Sequence, residues 1–165
     1  MNNTIDIRFR GENLEKRLSN LYPYQFEFDG IIYASMEAFF GSLRTPDFDE
    51  KQKLYLTYGT DSWYKGHRFN WYEKQEVYYK DKAINRHSPE YENLITAAFD
   101  ALFTNEDFKQ ALKESGDLKL THSIGKTAKD KTLLTRKEFV GHLNRLRTKL
   151  SERKFFDLGL LLLQG

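Results

Sequence analysis

A carboxylate at a predicted helix start is the first residue of this sequence that could do chemistry. Glu37 follows Ser35 and Met36 and precedes the aromatic pair Phe39 and Phe40. A carboxylate in a first helical turn can simply stabilise the helix, because its negative charge lies near the positive end of the helix dipole. At the wall of an aromatic pocket, it could instead stabilise an oxocarbenium ion or activate a water molecule. The sequence alone leaves both interpretations open.

A polar loop is the second candidate. Residues 121–126 contain two hydroxyls, the imidazole of His122, the flexible Gly125 and the cation Lys126. Such a loop could hold a phosphate, or it could be a solvated loop without a ligand. The Gly125-Lys126-Thr127 triplet does not form a P-loop, because Leu120 stands where that motif requires its first glycine.

Aromatic side chains form the third candidate. Trp71, Gln75, Tyr78, Tyr79 and Lys82 fit one face of a predicted helix. Their rings could pack into the core, or they could stack on a nucleobase.

The sequence lacks the residues that metal sites, serine hydrolases and cysteine-based sites require. The four histidines (His67, His87, His122 and His142) show no metal-ligand spacing, and no G-x-S-x-G motif occurs. The chain has no cysteine, which excludes disulfides, thiolate nucleophiles and cysteine-held metals. We therefore expect no metal and no cofactor.

The composition is that of an ordinary globular domain. The 165 residues carry 26 Lys plus Arg and 24 Asp plus Glu, a net charge of +2 that provides no general attraction for nucleic acid. The N-terminus lacks the apolar region of a signal peptide. The longest apolar stretch, residues 155–163, reaches about half the length of a membrane span. We expect a soluble cytoplasmic protein without a membrane partner; its oligomeric state is not determined by the sequence.

The elements that must position these residues are mostly helical. Asp29-Gly30 between two short apolar runs predicts a β-hairpin. Helices are predicted to begin after Ser35, at Asp49, after Ser88 and after Asn105, and a capping box at residues 135–138 begins another. Residues 118–122 predict a short strand or an extended segment. The expected fold is mainly α (α+β), with one domain over residues 1–150 and a C-terminal extension over 151–165 docked on it.

Several motifs, taken in order, resemble the NADAR (YbiA-like) family. They are Phe9-Arg10-Gly11-Glu12-Asn13, Arg17-Leu18-Ser19-Asn20-Leu21-Tyr22-Pro23, Ser35-Met36-Glu37-Ala38-Phe39, Trp71, Gln75, Arg86-His87-Ser88 and Leu120-Thr121-His122-Ser123-Ile124-Gly125-Lys126. The last motif is most similar to the branch found with guanine-specific DNA ADP-ribosyltransferase toxins. Phages also carry members of this family.

The resemblance implies a mainly helical N-glycosidase that removes ADP-ribose from guanine in DNA, and a possible phage counter-defence role. It implies Glu37 as the catalytic carboxylate. It places Arg10, Ser19, Asn20, Trp71, His122, Ser123 and Lys126 around the ligand. Arg10, Lys126 and amides near Gly125 would hold the diphosphate, and Trp71 would stack on a base. Another branch of the family implies hydrolysis of phosphorylated riboflavin-pathway intermediates.

Two positions depart from the family pattern. Gly41 stands where this branch usually has Gln, and Trp63 stands where the family usually has a lysine suited to Schiff-base chemistry. Lys65, two residues further on, is the nearest catalytic substitute. In a loop Lys65 could reach the pocket; on a helix it would point about 200° away from Trp63. The alternative function is therefore a binding module for ADP-ribose or a related nucleotide, without turnover.

Overall fold

Short strands alternate with helices in the N-terminal half of the chain, and longer helices follow. The computed structural model describes residues 3–164. The strands are β1 (Thr4–Asp6), β2 (Phe26–Phe28), β3 (Ile31–Tyr33), β4 (Glu76–Tyr79), β5 (Lys82–Asn85) and β6 (Lys119–Thr121). The helices are α1 (Leu14–Arg17), α2 (Met36–Leu43), α3 (Phe48–Tyr55), α4 (Gly59–His67), α5 (Pro89–Leu102), α6 (Glu106–Ser115) and α7 (Arg136–Leu163), with a 3-10 turn at Lys129–Lys131. The predicted α+β class is confirmed.

Side-chain caps start the predicted helices. Ser35 accepts a hydrogen bond from the Ala38 amide at the start of α2. Ser88 and Asn105 cap α5 and α6 in the same way, and Thr135 completes a capping box with Glu138. These starts were predicted because each cap satisfies an amide that the first helical turn leaves free.

Three two-stranded sheets accompany the helices among the described residues. The predicted hairpin is confirmed: β2 pairs antiparallel with β3, and its turn residues Asp29 and Gly30 both have positive φ. The parallel pairing of β1 with β6 joins residues 4–6 to residues 119–121. It brings the N-terminal segment beside the polar loop at residues 122–126.

The prediction of one helix that carries Trp71, Gln75, Tyr78, Tyr79 and Lys82 is wrong. These residues belong to or precede the β4–β5 hairpin, in which Val77 pairs with Ile84 and Tyr79 with Lys82. Gln75 and Lys80 have positive φ, which breaks a helix at both places. A short segment can satisfy helical and strand spacing at once, and here burial of Val77 and Ile84 favours the strand.

Helix α2 is the centre of the fold, since all eight of its residues are buried. It contacts α3, α4, β3 and β4. The apolar faces of α5, α6 and α7 complete the core; their fully buried side chains include Phe99, Phe108 and Leu143. A helix buried on all sides can present a polar side chain only to a cavity or to a buried partner, and this applies to Glu37.

The C-terminal extension does not dock on the domain, contrary to expectation. Helix α7 runs without interruption through residue 150 to Leu163. Residues 151–164 are exposed apart from the half-buried Gly159. The capped N-terminal half of α7 is held by the buried side chains of Phe139, Leu143 and Leu146, whereas the later leucines are exposed. Within residues 3–164, no helix has the length and apolarity needed to cross a membrane.

Candidate active site

A cleft of about 650 Å³ opens beside the N-terminal end of α2. Its walls come from α2, from α4, from residues 8–10 and 19–21, and from the segment 122–134. The β1–β6 pairing holds two of these walls together, because residues 8–10 follow β1 and residue 122 follows β6. A cavity of this size suits a nucleotide-sized ligand.

Glu37 lies at the floor of this cleft. The Ser35 cap fixes the first turn of α2, and the Glu37 amide donates to the Asn20 carbonyl oxygen at 2.9 Å. The Glu37 side chain is 9% exposed and lines the cleft. The backbone therefore places a nearly buried carboxylate directly against the ligand space.

Arg44 is the charged partner of Glu37. Its Nη1 lies 3.5 Å from Glu37 Oε1, and its side chain is 7% exposed. The two residues are seven apart in the sequence, which places them on one face of a helical segment two turns apart. Burial raises the pKa of Glu37, and the positive charge of Arg44 opposes that shift.

His67 completes the polar floor as a neutral group. Its Nδ1 lies 2.8 Å from the Trp63 carbonyl oxygen and 3.8 Å from Glu37 Oε1. Since a carbonyl only accepts, Nδ1 carries the proton of the neutral ring and Nε2 is the acceptor. Burial, with the nearby charge of Arg44, lowers the pKa of His67 to about 4. His67 is therefore uncharged at neutral pH.

Two glycines allow α2 and α4 to approach closely behind the floor. A Cβ added to Gly66 would lie 2.9 Å from Gly41 Cα and 2.8 Å from Arg44 Nη1. A Cβ added to Gly41 would lie 3.4 Å from Gly66 Cα. The departure from the family pattern at Gly41 thus has a structural reason: this residue lies at the helix contact and not among the cleft-lining residues.

The cleft is rich in cations. Arg8, Arg10, Arg44, Lys126 and Lys131 line it, and Glu37 is the one carboxylate among its lining residues. Within the described chain, no carboxylate lies within 4 Å of Arg10, Lys126 or Lys131, by the ion pairs that the structure contains. Free arginine and lysine side chains around a cleft are suited to phosphate groups.

The exposed aromatic side chains that line the cleft are Tyr72, Trp63 and Tyr64. They are 41%, 42% and 64% exposed, whereas Trp71 is 2% exposed and belongs to the core. Trp71 supports the Tyr72 ring at a centroid distance of 4.6 Å, and the Trp63 ring stacks on His67 at 4.1 Å. Since a base needs an open ring face, the expected stacking surface lies on these exposed rings and not on Trp71.

The polar loop is held by backbone contacts. His122 Nδ1 lies 2.7 Å from the Ile7 carbonyl oxygen, which fixes its ring at the cleft wall. The Gly125 amide donates to the His122 carbonyl, so this amide is not free to bind a phosphate as expected. A Cβ on Gly125 would clash with His122 Cδ2. The glycine therefore lets the loop close over the histidine, with Lys126 beside the Tyr72 ring.

Comparison with known proteins identifies the family. The family model for bacteriophage protein GP30.3 matches residues 13–148. The chain belongs to the GP30.3 family. An uncharacterized 17.1 kDa protein of the Gp30–rIII intergenic region of enterobacteria phage T4 is 29% identical over 136 residues, which cover 81% of this chain and 90% of that protein.

The fold of this GP30.3-family chain is also known from a bacterial protein. The NMR structure of the E. coli protein YbiA matches it with a TM-score of 0.59 at 15% identity, over 94% of this chain and 89% of YbiA. At this identity the match shows the fold alone. It confirms the YbiA-like architecture that the sequence motifs predicted.

The structure brings most of the predicted site residues of the GP30.3-family chain to one cleft. These are Glu37, Arg10, Ser19, Asn20, Trp71, His122, Gly125 and Lys126. Ser123 lies apart, because its amide donates to Asp6 Oδ1 at 2.8 Å and its hydroxyl bonds the same carboxylate. Ser19 and Asn20 belong to a turn that connects the starts of α2 and α4. The Glu37 amide donates to the Asn20 carbonyl oxygen, and the Gly59 amide donates to the carbonyl oxygen of the next residue, Leu21.

Lys65 is not brought to the cleft. Its segment is helical, and its Nζ lies 2.8 Å from Asp61 Oδ2 on the solvent side of α4. Trp63 lines the cleft instead. Two residues along a helix correspond to about 200° of rotation, which accounts for the opposite directions of the two side chains.

Sequence reasoning missed Arg44, His67, Tyr72 and Lys131. Arg44 had a usable signal: it is the first cation after the apolar helix that carries Glu37, at a spacing of seven residues. His67 had a weaker one, since it follows Trp63 by four residues on a helix that was not predicted. Tyr72 and Lys131 reach the cleft only through the tertiary arrangement of loops.

Proposed function

We propose that this protein is an N-glycosidase that removes ADP-ribose from guanine bases in DNA and so reverses a toxin modification. The observation that carries the proposal is the nearly buried Glu37 carboxylate at the floor of a cleft whose rim is cationic and aromatic. The resemblance of the sequence motifs to the toxin-linked branch supports the choice of substrate. Membership of a bacteriophage protein family supports a counter-defence role.

The reaction would break one carbon–nitrogen bond. As the bond from ribose C1 to the guanine nitrogen lengthens, its electron pair goes to the nitrogen and positive charge develops on C1 and the ring oxygen. Ionised Glu37 would stabilise that charge, strongly so because its side chain is nearly buried. A water molecule then adds to C1, and its proton goes to the guanine nitrogen. The products are free ADP-ribose and unmodified guanine.

The rest of the cleft would position the substrate. Arg10, Lys126 and Lys131 would bind the diphosphate, because they have no ion-pair partner in the described chain. The exposed rings of Tyr72 and Trp63 would stack on the bases at the two ends of the substrate. Lys65 has no role in this mechanism, since its side chain lies outside the cleft.

The test is release of ADP-ribose from a guanine-modified oligonucleotide. Wild type and Glu37→Gln are incubated with the oligonucleotide, and free ADP-ribose is measured by liquid chromatography with mass detection. We expect release by wild type and a loss of about 100-fold or more in Glu37→Gln, because removing one group that stabilises transition-state charge costs about that much in rate. Glu27→Gln is the matched control, because Glu27 is an exposed carboxylate in β2 and is not among the lining residues of the cleft. Near-normal release by a folded Glu37→Gln protein would contradict the assigned role.

A binding module for ADP-ribose is the second candidate, and one observation favours it. Trp63 lies at the cleft where the family pattern has a lysine, and Lys65 does not replace that lysine. A mechanism that needs a cleft amine on α4 would be lost in this chain. Binding of ADP-ribose by calorimetry without release from the oligonucleotide would support the module. A parallel assay with phosphorylated riboflavin-pathway intermediates tests the remaining branch.

A further inference from the structure

Arg44 is incompletely bonded for a buried arginine. Its side chain is 7% exposed, and its one side-chain hydrogen bond, from Nη1 to Glu37 Oε1, is long at 3.5 Å. Its Nε is buried and has no hydrogen-bond partner. A buried donor without an acceptor is unfavourable, so such groups usually indicate a missing ligand or water molecule.

Glu37, the partner of Arg44, also has a carboxylate oxygen without a hydrogen bond within residues 3–164. Its contacts with Arg44 and His67 both involve Oε1, and no hydrogen bond reaches Oε2 from the described residues. The floor of the cleft therefore presents donors from Arg44 and an acceptor from Glu37 next to each other. A group that both accepts and donates a hydrogen bond would satisfy the two residues together.

A sugar hydroxyl has that property, whereas a phosphate does not. A hydroxyl oxygen can accept from the guanidinium while its proton is donated to the carboxylate. A phosphate at the same place would bring its negative charge against Glu37, and the cations Arg10, Lys126 and Lys131 of the same cleft suit it better. The pair is therefore matched to the ribose part of a nucleotide.

We propose that Arg44, together with Glu37, binds the vicinal hydroxyls of the ribose whose glycosidic bond is cleaved, and that this contact selects ribosyl over deoxyribosyl substrates. The inference rests on the proposed function for the identity of the ligand. It explains a selectivity that this function requires. A modified guanine in DNA is bonded directly to two sugars, the terminal ribose of the ADP-ribosyl group and its own deoxyribose, and of these two only the ribose has the vicinal hydroxyl pair. Arg44 is thus a specificity-determining residue.

The test compares two ligands and needs no turnover. Binding of ADP-ribose and of its analogue lacking the hydroxyl next to C1 of the terminal ribose is measured by calorimetry for wild type, Arg44→Lys and Arg10→Gln. A hydrogen bond to a charged group corresponds to about a 10- to 100-fold change in affinity. We expect wild type to prefer ADP-ribose by that factor and Arg44→Lys to lose most of the preference, because lysine lacks the forked guanidinium. Arg10→Gln should weaken both ligands equally.

The outcomes separate this inference from the proposed function. Equal binding of both ligands by wild type would overturn the inference, and that comparison stands even where an Arg44 variant does not fold. A preference that persists in folded Arg44→Lys would overturn the role of Arg44. Selective binding without release from the oligonucleotide would overturn hydrolysis and leave the inference standing. No binding of either ligand would overturn both.

Discussion

The contact between Gly41 and Gly66 makes the clearest prediction about how this fold supports its cleft. In Gly66→Ala, the new Cβ would lie 2.9 Å from Gly41 Cα and 2.8 Å from Arg44 Nη1. The arginine tip can move, but the Gly41 backbone belongs to the buried helix α2. The two helices must therefore separate or tilt.

The size of the effect follows from two opposing contributions. Overpacking a tight contact costs about 1–3 kcal/mol, and replacing glycine by alanine in a helix gains up to about 1 kcal/mol. We expect Gly66→Ala to lose about 1–2 kcal/mol of unfolding free energy. Gly141→Ala is the matched control, because a Cβ at Gly141 in α7 meets nothing within 4 Å. That variant should gain about 0.5–1 kcal/mol.

The measurements are urea unfolding and thermal unfolding, both followed by far-ultraviolet circular dichroism, for the two variants and wild type. At about 2–4 °C per kcal/mol for a chain of this size, the melting temperatures of the two variants should differ by several degrees. The same Gly66→Ala protein should also bind ADP-ribose more weakly, since Arg44 is displaced from Glu37. If Gly66→Ala stabilises the protein as much as Gly141→Ala does, the close helix contact is not a constraint and the reasoning fails.

Four further predictions follow from the buried charges and from the position of Lys65. The value of kcat/KM for ADP-ribose release should fall at acidic pH with an apparent pKa above 4.5. The reason is that burial raises the pKa of Glu37 and only the ionised carboxylate stabilises the transition state. A fall that occurs only below about pH 4 would contradict this. Arg86→Met should lose about 3 kcal/mol or more in urea unfolding, because Arg86 is fully buried and pairs with Glu138 at 2.8 Å; a loss below 1 kcal/mol would show that the pair is dispensable. Burial lowers the pKa of Lys51 to about 8, so the unfolded chain binds more protons than the folded chain between pH 8 and 10.5. The free energy of unfolding of wild type should therefore rise with pH across that window, relative to that of Lys51→Met. Parallel curves of unfolding free energy against pH for the two proteins would refute the shift. Lys65→Ala should release ADP-ribose at the wild-type rate, and a borohydride-trapped adduct that disappears in this variant would show instead that the lysine is the nucleophile.

The sequence determined the local structure wherever a cap or turn residue acts on its immediate neighbours. Ser35, Ser88, Asn105 and Thr135 start helices because their side-chain oxygens satisfy amides three residues on. Asp29 and Gly30 form a hairpin turn because they tolerate positive φ. The sequence motifs also indicated the fold, and most of the site residues that they pointed to line the cleft, since the order of such motifs reflects one architecture.

Tertiary structure decided what these residues can do. Whether Trp63 or Lys65 faces the cleft depends on α4 being helical, which its glycine-flanked sequence did not reveal. The hairpin at residues 76–85 replaced a predicted helix because burial of Val77 and Ile84 outweighed an ambiguous spacing. The burial of Trp71 and the exposure of its neighbour Tyr72 moved the expected stacking surface away from Trp71. Above all, the spacing of seven residues places Glu37 and Arg44 on one face of the α2 segment, but the close packing of α4 against that segment is a long-range contact that local sequence patterns do not encode.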